Sequence, residues 1–486
     1  MLHNFKLNLA SVLFLLTLAS CGGGGGDFIA GIGGTGVTSS GAISGFGSIF
    51  VNGVKFDTNN VSRVDGDLSQ VSDLKLGMVV TVRGEVNDTD KTGTADTIHV
   101  DIEIQGPVAN PPVLDTNTNN KSFNVLGRNI VINSNSTAFD GANFSFDTVS
   151  QNDVVEASGY IDANGSLQAT RLEKKGVVSF GNTKVEVNGI VTATSVASFT
   201  LLVDSTSLTI NNSGNITVPG GINVGVELEV KGTLNTATEI AADTINLDDD
   251  LFDSNDSEVE VEGYITNYIS DSNFMVNGQL IDASSGSVTR SPATLILADN
   301  LKVEVEGNFS NGTLVATSVK ARSGNIRMFS NVASDPANNQ IILDYAGMSA
   351  TPVTVDSQTK FEDDVLSGNL TLSGISSDDF LEILAINNNG TILATELKRK
   401  VDEADRETIL RGAVSDIDTT TPGQESLTIL DVVYNTDNNT SFEINDVSST
   451  RNDFFNAVSV GSVVSIKEKK SSFNIDGIAE SMDLKN

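Results

Sequence analysis

The feature that most constrains this chain is an internal repeat of about 75 residues. A β-type alternation of apolar residues occurs six times, as in Val80-x-Val82-x-Gly84, and four of the six copies end in Gly. The final positions are Gly84, Gly159, Gly232, Gly307, Ala385 and Glu468. Strict alternation over a short run is typical of a β-strand. The period predicts a series of small modules rather than one large core.

Two further landmarks keep the same spacing. Seven residues before each final position stands a Gly, Asn or Asp: Gly77, Asn152, Gly225, Asn300, Asp378 and Gly461. These residue types tolerate left-handed backbone, which predicts a turn with positive φ before each strand. The third landmark opens the last strand of each copy: Ala95, Ala169, Ala242, Ala316, Ala394 and Ala479.

The pattern predicts an all-β chain of six tandem small β-barrel modules. Short alternations turn at Asn-Gly, as at Asn52-Gly53, and long helical periodicity is lacking. An OB-like barrel is the preferred form of each module, and an open sandwich is the alternative. We expect beads on a string with some packing between modules, because each core is small and a single Cys forms no internal disulfide. The predicted bounds are 41–105, 106–184, 185–257, 258–324, 325–407 and 408–486.

The N-terminal segment, residues 1–20, is predicted to be an export signal. Its apolar run from Leu9 to Leu18 is too short to span a hydrocarbon core of about 30 Å. The tetrapeptide Leu-Ala-Ser-Cys that ends at Cys21 resembles the lipobox of bacterial lipoproteins, which implies cleavage before Cys21 and a diacylglycerol on its sulfur. Gly22, by resemblance to Gram-negative lipoproteins, favours the outer membrane. An ordinary signal peptide is the alternative, and the Gly-rich segment 21–40 is predicted to be a tether.

The first module carries a second resemblance. Its segments are Gly-Ala-Ile at 41–43, Phe-Gly-Ser-Ile-Phe-Val-Asn-Gly-Val-Lys-Phe-Asp at 46–57 and Leu-Lys-Leu-Gly-Met-Val-Val-Thr-Val-Arg-Gly at 74–84. They resemble a repeat family of bacterial lipoproteins that is catalogued as a domain of unknown function. The later copies share only the landmarks, and Ala385 and Glu468 depart from the terminal Gly. The resemblance implies tandem β-barrel modules on a lipid-anchored chain, and it implies no activity.

Composition excludes several classes of function. Lys and Arg number 29 and Asp and Glu 63, so the formal charge is 29 − 63 = −34, which disfavours a nucleic-acid partner. There is no Trp, and only His99 lies beyond the export segment. A Cys/His zinc site and a Ser-His-Asp triad are therefore not expected. His99 is predicted to be an exposed strand residue, and we expect no enzymatic activity because no carboxylate pair has a distinctive spacing.

One acidic run is a candidate calcium site. Its predicted ligands are Asp248, Asp249, Asp250, Asp253 and Asp256. A solvated acidic linker is the alternative, and no other cofactor is expected. The following strand alternates Glu258, Glu260 and Glu262 with Val, which predicts three carboxylates on its solvent face.

Polar loops elsewhere are predicted to be hairpin turns. The loop Asp88-x-Asp90-x-Thr92-Gly93 resembles the first half of an EF-hand loop, but His99 stands where a bidentate Glu is needed. A second loop of this kind begins at Asp162.

Three hypotheses of function follow. The first is a lipid-anchored cell-envelope repeat protein that acts as a structural or binding scaffold, with the membrane and an envelope protein or polysaccharide as partners. The second is a carbohydrate- or calcium-binding array at the cell surface. The absence of Trp and the presence of only five Tyr weigh against carbohydrate. The third is a carboxylate-dependent hydrolase. The oligomeric state stays open.

Overall fold

The computed structural model describes residues 36–485, except 46–47, 88–91, 101, 116–119, 134–135, 248–250, 253–255, 257, 323, 325, 346, 357–358, 366–369, 378, 389, 402–406, 445–446 and 470–476. The predicted export signal and Cys21 lie outside the described residues. The chain is all-β, with 60% strand and 3% helix, which confirms the predicted class of secondary structure. The described helices are α1 (Arg451–Ala457) and two 3₁₀ turns (Val71–Asp73 and Leu372–Gly374).

The first three repeats contain strands β1 to β18. In the first repeat these are β1 (Gly36–Ala42), β2 (Ile49–Val51), β3 (Val54–Asp57), β4 (Arg63–Gly66), β5 (Val79–Asn87) and β6 (Thr92–Val100). In the second they are β7 (Ile104–Pro107), β8 (Val113–Asp115), β9 (Asn120–Val125), β10 (Arg128–Asn133), β11 (Ala138–Asp140), β12 (Asp153–Ile161) and β13 (Leu167–Val177). In the third they are β14 (Lys184–Thr194), β15 (Ser198–Val203), β16 (Thr206–Asn211), β17 (Glu227–Thr236) and β18 (Glu239–Leu247).

The last three repeats contain β19 to β39. In the fourth these are β19 (Glu258–Ser270), β20 (Asn273–Val276), β21 (Gln279–Asp282), β22 (Thr289–Ser291), β23 (Lys302–Ser310) and β24 (Thr313–Ala321). In the fifth they are β25 (Ile326–Val332), β26 (Gln340–Ile341), β27 (Leu343–Tyr345), β28 (Met348–Ser349), β29 (Val353–Thr354), β30 (Lys360–Asp363), β31 (Phe380–Asn388) and β32 (Thr391–Lys400). In the sixth they are β33 (Glu407–Asp418), β34 (Ser426–Ile429), β35 (Val432–Asn435), β36 (Ser441–Ile444), β37 (Val447–Ser449), β38 (Val463–Lys469) and β39 (Ser481–Lys485).

The repeats share one pattern of strand pairing. In the first repeat β1 pairs antiparallel with β5, β5 pairs antiparallel with β6, and β6 lies parallel to β3, which forms a hairpin with β2. The third repeat has the same order, with β14, β17, β18, β16 and β15 in the corresponding places. The fourth repeats it with β19, β23, β24, β21 and β20.

The landmark Gly and Ala are cross-strand partners at a β-bulge. Gly84 pairs with Ala95, and the register of β5 against β6 shifts between Arg83 and Gly84. The same shift precedes Gly159, Gly232, Gly307 and Ala385, which pair with Ala169, Ala242, Ala316 and Ala394. A Cβ on Gly307 would lie 2.2 Å from the carbonyl oxygen of Val315, so the close approach of the two backbones explains the Gly. At Ala385 the shift persists with a Cβ present.

The turn that leads into each long strand has left-handed backbone, as the second landmark predicts. The φ angle is +81° at Gly77, +74° at Asn152, +90° at Gly225, +66° at Asn300 and +92° at Gly461. The fifth landmark residue, Asp378, lies outside the described residues. The prediction is therefore confirmed wherever it is described.

The prediction of six separate OB-like barrels on a string, or of separate sandwiches, is wrong. The described chain is a β-solenoid of stacked coils, and its sheets of 12, 12 and 15 described strands run across repeats. The first strand of one repeat pairs with the first strand of another: β1 lies parallel to β19, β7 antiparallel to β14, and β25 antiparallel to β33. The physical reason is that an open strand edge and a small core are both stabilised by a neighbour.

Candidate functional site

A buried ion-pair cluster joins the fourth and fifth repeats. Glu262 on β19 is fully buried, and its carboxylate lies 2.7 Å from the ammonium of Lys302 on β23 and 2.7 Å from that of Lys360 on β30. Lys360 belongs to the fifth repeat and Glu262 to the fourth, so this contact connects two of the sheets. Lys360 also contacts Glu362 at 3.1 Å.

A second, partly exposed cluster connects the first and third repeats. The Lys231 ammonium lies 2.9 Å from the carboxylates of Glu186 and Glu229 and contacts Asp67 of the first repeat. The three carboxylates are close enough together to hold a metal ion, but the Lys231 ammonium already supplies the positive charge among them.

The ion pairs of Glu262 line a partly open cavity of about 440 Å³ between the first, second, fourth, fifth and sixth repeats. One wall is the outer face of the sheet that carries β25, β30, β31, β32 and β33. The other wall carries hydroxyl and amide groups, among them Ser136, Thr137, Asn133, Gln168 and Thr170. Tyr160 closes one end, where its hydroxyl accepts a hydrogen bond of 2.7 Å from the backbone N–H of Ala42.

The cavity is rich in positive charge for so acidic a chain. Its basic residues are Lys302, Arg327, Lys360, Lys398, Lys400 and Arg411, and its acidic residues are Glu262, Glu362, Asp364, Glu382 and Glu396. Six of the 29 Lys and Arg residues of the chain therefore face one cavity, although acids outnumber bases by 34 overall. Burial and the nearby Glu362 carboxylate raise the pKa of Glu396, while the Lys360 ammonium opposes the shift.

The paired carboxylates stay ionised. Burial alone would raise the pKa of Glu262, but the ammonium groups of Lys302 and Lys360 outweigh it and lower the pKa to about 2. Burial likewise opposes ionisation of Glu382, while the Arg327 guanidinium, 2.8 Å away, lowers its pKa. The wall is therefore a fixed array of charges rather than a set of neutral polar groups.

This array makes stability depend on pH on the acid side. Because the pKa of Glu262 is about 2 when folded and near 4.5 when exposed, its contribution is complete above pH 4.5 and is lost as pH falls toward 2. The contribution is on the order of 3 kcal/mol. We expect Glu262→Gln to flatten this part of the pH–stability profile, measured as melting temperature from pH 6 to pH 2.5. Equal slopes for the variant and the wild type would contradict the assignment.

The structure places the acidic residues differently from the sequence prediction. Asp256 is buried, its carboxylate accepts two hydrogen bonds of 3.0 Å from Arg83, and it accepts one of 2.6 Å from Thr38. Asp248, Asp249, Asp250 and Asp253 lie outside the described residues, so the calcium site stays a prediction. The predicted solvent face of β19 is wrong at Glu262, which faces Lys302 and Lys360 in the interior.

His99 and Asp162, which the sequence analysis also considered, form polar contacts with neighbouring groups. His99 is partly exposed on β6, with Nδ1 2.9 Å from the Asp65 carboxylate. Asp162 stabilises a polar turn, since its Oδ1 accepts hydrogen bonds from the backbone N–H groups of Asn164 and Ser166. The loop 88–91 lies outside the described residues.

The cavity residues were missed by reasoning from the sequence. A signal existed, because β23 and β32 alternate acidic and basic residues with apolar ones, as in Lys302-Val303-Glu304. Charges of both signs on one strand face fit cross-strand pairing in water as well as burial against a second sheet, so this pattern does not by itself identify the cavity.

The fold defines a repetitive all-β protein. The family model described as "Domain of unknown function (DUF5666)" matches residues 35–99, 112–173, 262–320, 332–398 and 411–473. The chain belongs to this family and carries five tandem copies of the domain. The segment between the second and third matches contains β14 to β18, which have the pairing order of the other repeats.

Other comparisons add little. No curated protein matches the chain. Among solved structures, a Drosophila Unr chain described as CSD456 is 13% identical, with a TM-score of 0.15, and the alignment covers 44% of this chain and 98% of that one. Within the described residues, every helix is too short and too polar to cross a bilayer.

Proposed function

We propose that the protein is a lipid-anchored, non-enzymatic scaffold of the cell envelope that holds a binding surface at a fixed distance from the membrane. The observation that carries this proposal is the set of contacts between repeats, above all the buried ion pair of Glu262 with Lys360. Paired charges in a low-dielectric interior hold their partners in one geometry, because separation leaves a buried charge uncompensated. Repeats held in one geometry present a binding surface in a more constant orientation than flexibly linked modules would.

The N-terminal sequence supports the proposal that the protein is anchored by a lipid. The only Cys of the chain falls at Cys21, directly after small residues and an apolar run. Two or three acyl chains, with each buried CH₂ contributing about 0.8 kcal/mol, would give lasting attachment, most simply at the outer membrane. The Gly-rich stretch after Cys21 would give the body freedom to orient.

Membrane fractionation tests the anchor. We expect Cys21→Ser to move the protein from the membrane fraction to the soluble fraction, because the acyl chains have no other attachment point. Adding Ser285→Cys, an exposed position, to that variant is the matched control and should leave the protein soluble. Membrane association that survives Cys21→Ser would contradict the lipoprotein assignment.

Capture on purified envelope material tests the scaffold. The chain from residue 36 onward, immobilised in place of the lipid anchor, is expected to retain a defined envelope protein or polysaccharide. No retained component above that seen with a heat-unfolded sample would count against a binding role.

A further inference from the structure

The strongest unassigned feature is the cluster in which Lys231 of the third repeat meets Asp67 of the first repeat. Lys231 lies on β17, and its Nζ atom directly contacts Oδ1 of Asp67. Asp67 follows β4, so the contact joins two segments that are 164 residues apart in the sequence. The Asp67 side chain is only 6% exposed, which shields its carboxyl carbon from bulk water. An amine and a carboxyl group held in contact are the two reactants of an amide bond.

The Asp67 carboxyl group is held in a fixed orientation. The backbone N–H of Asp67 donates a hydrogen bond of 2.8 Å to the carbonyl oxygen of Val100. Oδ2 of Asp67 accepts a hydrogen bond of 2.6 Å from the backbone N–H of Ile102, so Oδ1 is the oxygen that faces Lys231. A backbone N–H at a carboxyl oxygen stabilises the negative charge that this oxygen gains when a nucleophile adds to the carbon.

Two Glu side chains adjoin the Lys231 amine. Glu186 lies directly opposite Lys231 across β14 and β17, and Glu229 precedes Lys231 by two residues on the same face of β17. Each carboxylate lies 2.9 Å from Nζ of Lys231. Burial lowers the pKa of the Lys231 ammonium to about 8, which makes the neutral amine accessible near neutral pH. A neutral Lys amine is a nucleophile, and a carboxylate in hydrogen-bond contact can carry its proton.

The balance of charge at Lys231 is the reverse of that at Glu262. Two ammonium groups surround the Glu262 carboxylate and keep it ionised, and an ionised carboxylate is a poor electrophile. At Lys231, three carboxylates surround one ammonium. Neighbouring carboxylates disfavour each other's ionisation, so one of the three can hold a proton. This gives the neutral carboxyl group that an amine attacks.

We propose that Lys231 and Asp67 form an intramolecular isopeptide bond that joins the first and third repeats covalently. The lone pair of Nζ attacks Cγ of Asp67, the C–N bond forms, and the bond from Cγ to Oδ1 breaks. Two of the three ammonium protons pass by way of Glu186 or Glu229 to Oδ1, which leaves as water. The net reaction converts one ammonium and one carboxylate into one amide and one water molecule, so it needs no further reactant. Contact in the folded chain supplies the proximity that favours this condensation.

Tryptic digestion of the full-length protein, purified in detergent and then denatured, tests for the bond. Trypsin cuts after Lys and Arg, but it does not cut after a Lys whose side-chain nitrogen is part of an amide. The bond therefore predicts one branched product in which residues 64–75 are joined to residues 185–290. Its mass is lower by one water molecule than the sum of those two peptides. Without the bond, digestion gives separate peptides 64–75, 185–231 and 232–290.

Substitutions identify the groups that react. Lys231→Arg keeps the positive charge and removes the amine, and we expect it to abolish the branched product. Asp67→Ala removes the carboxyl group and should abolish it as well. Replacing Glu186 and Glu229 together with Gln removes both proton carriers and is expected to lower the yield about tenfold or more.

Lys174→Arg is the matched control. The Lys174 ammonium lies 2.6 Å from the Asp153 carboxylate, and the two side chains are 30% and 6% exposed, nearly as in the pair of Lys231 and Asp67. We expect this variant to yield the branched product as the wild type does.

Three results would overturn the proposal. The first is full recovery of the separate peptides 64–75 and 185–231 from the wild-type protein. The second is a branched product that persists in Lys231→Arg or in Asp67→Ala. The third is an unchanged yield when both Glu residues are replaced.

Discussion

Replacing Glu262 with Gln is expected to destabilise the contact between the fourth and fifth repeats by about 3–5 kcal/mol. The substitution keeps the shape of the side chain and removes its charge, which leaves the buried ammonium groups of Lys302 and Lys360 without this partner. Local opening is best measured by hydrogen exchange of the amides of β19 and β30. We expect those amides to exchange faster while β15 and β16 in the third repeat are little changed.

Two further variants distinguish the loss of the Glu262 charge from a general destabilisation of the fold. Glu227→Gln alters an exposed carboxylate on β17 and should leave exchange unchanged. Combining Glu262→Gln with Lys360→Met should cost less than the sum of the single changes, because the second change removes a charge that the first leaves uncompensated. Additive effects would show that the two side chains do not stabilise each other.

Gly307→Val is expected to disrupt the fourth repeat, at a cost of about 3 kcal/mol or more. A Cβ at this position would lie 2.2 Å from the carbonyl oxygen of Val315 and 2.8 Å from Cα of Ala316. Those atoms belong to the paired strand, so relief requires movement of the backbone rather than of a side chain. Protease resistance and melting temperature provide the measurement.

The matched control lies in the same repeat. A Cβ on Gly286 meets no atom within 4 Å, so Gly286→Val should be tolerated. Valine is the informative substitution because Ala385 occupies the equivalent position in the fifth repeat with the register shift intact. A Gly307→Val protein as stable as Gly286→Val would contradict the explanation of the landmark Gly.

The strand content and local turns could be predicted because they depend on short stretches of sequence. Asn152 and Gly225 reveal their left-handed backbone by residue type alone, and the joint recurrence of Gly84 and Ala95 reflects their direct pairing. The arrangement of repeats depends instead on pairing between strands that are distant in the sequence. Periodicity says that each repeat has a first strand, but it does not say that β1 pairs with β19 rather than with a strand of the adjacent repeat.

In the candidate site too, the sequence predicts local features but not the contacts between distant segments. Alternation correctly places Glu260 and Glu262 on the opposite face from Val259 and Val261, which are fully buried. Alternation alone does not say what covers that face, and the covering groups, such as Lys360, lie about 100 residues away in the sequence. The sequence does not predict that Arg327 lies opposite Arg411 for the same reason, because that register depends on how two repeats pair.

The parallel pairing of β1 with β19 has a consequence for synthesis of the chain. The two strands lie 221 residues apart at Ser39 and Glu260, whose side chains hydrogen-bond at 2.9 Å. A ribosome adding about 5–20 residues per second leaves that edge of β1 open for on the order of ten seconds or longer. Unpaired strand edges recruit other chains into aggregates. The open edge of β1 is therefore a site at which the nascent chain is expected to aggregate until the middle of the polypeptide has emerged.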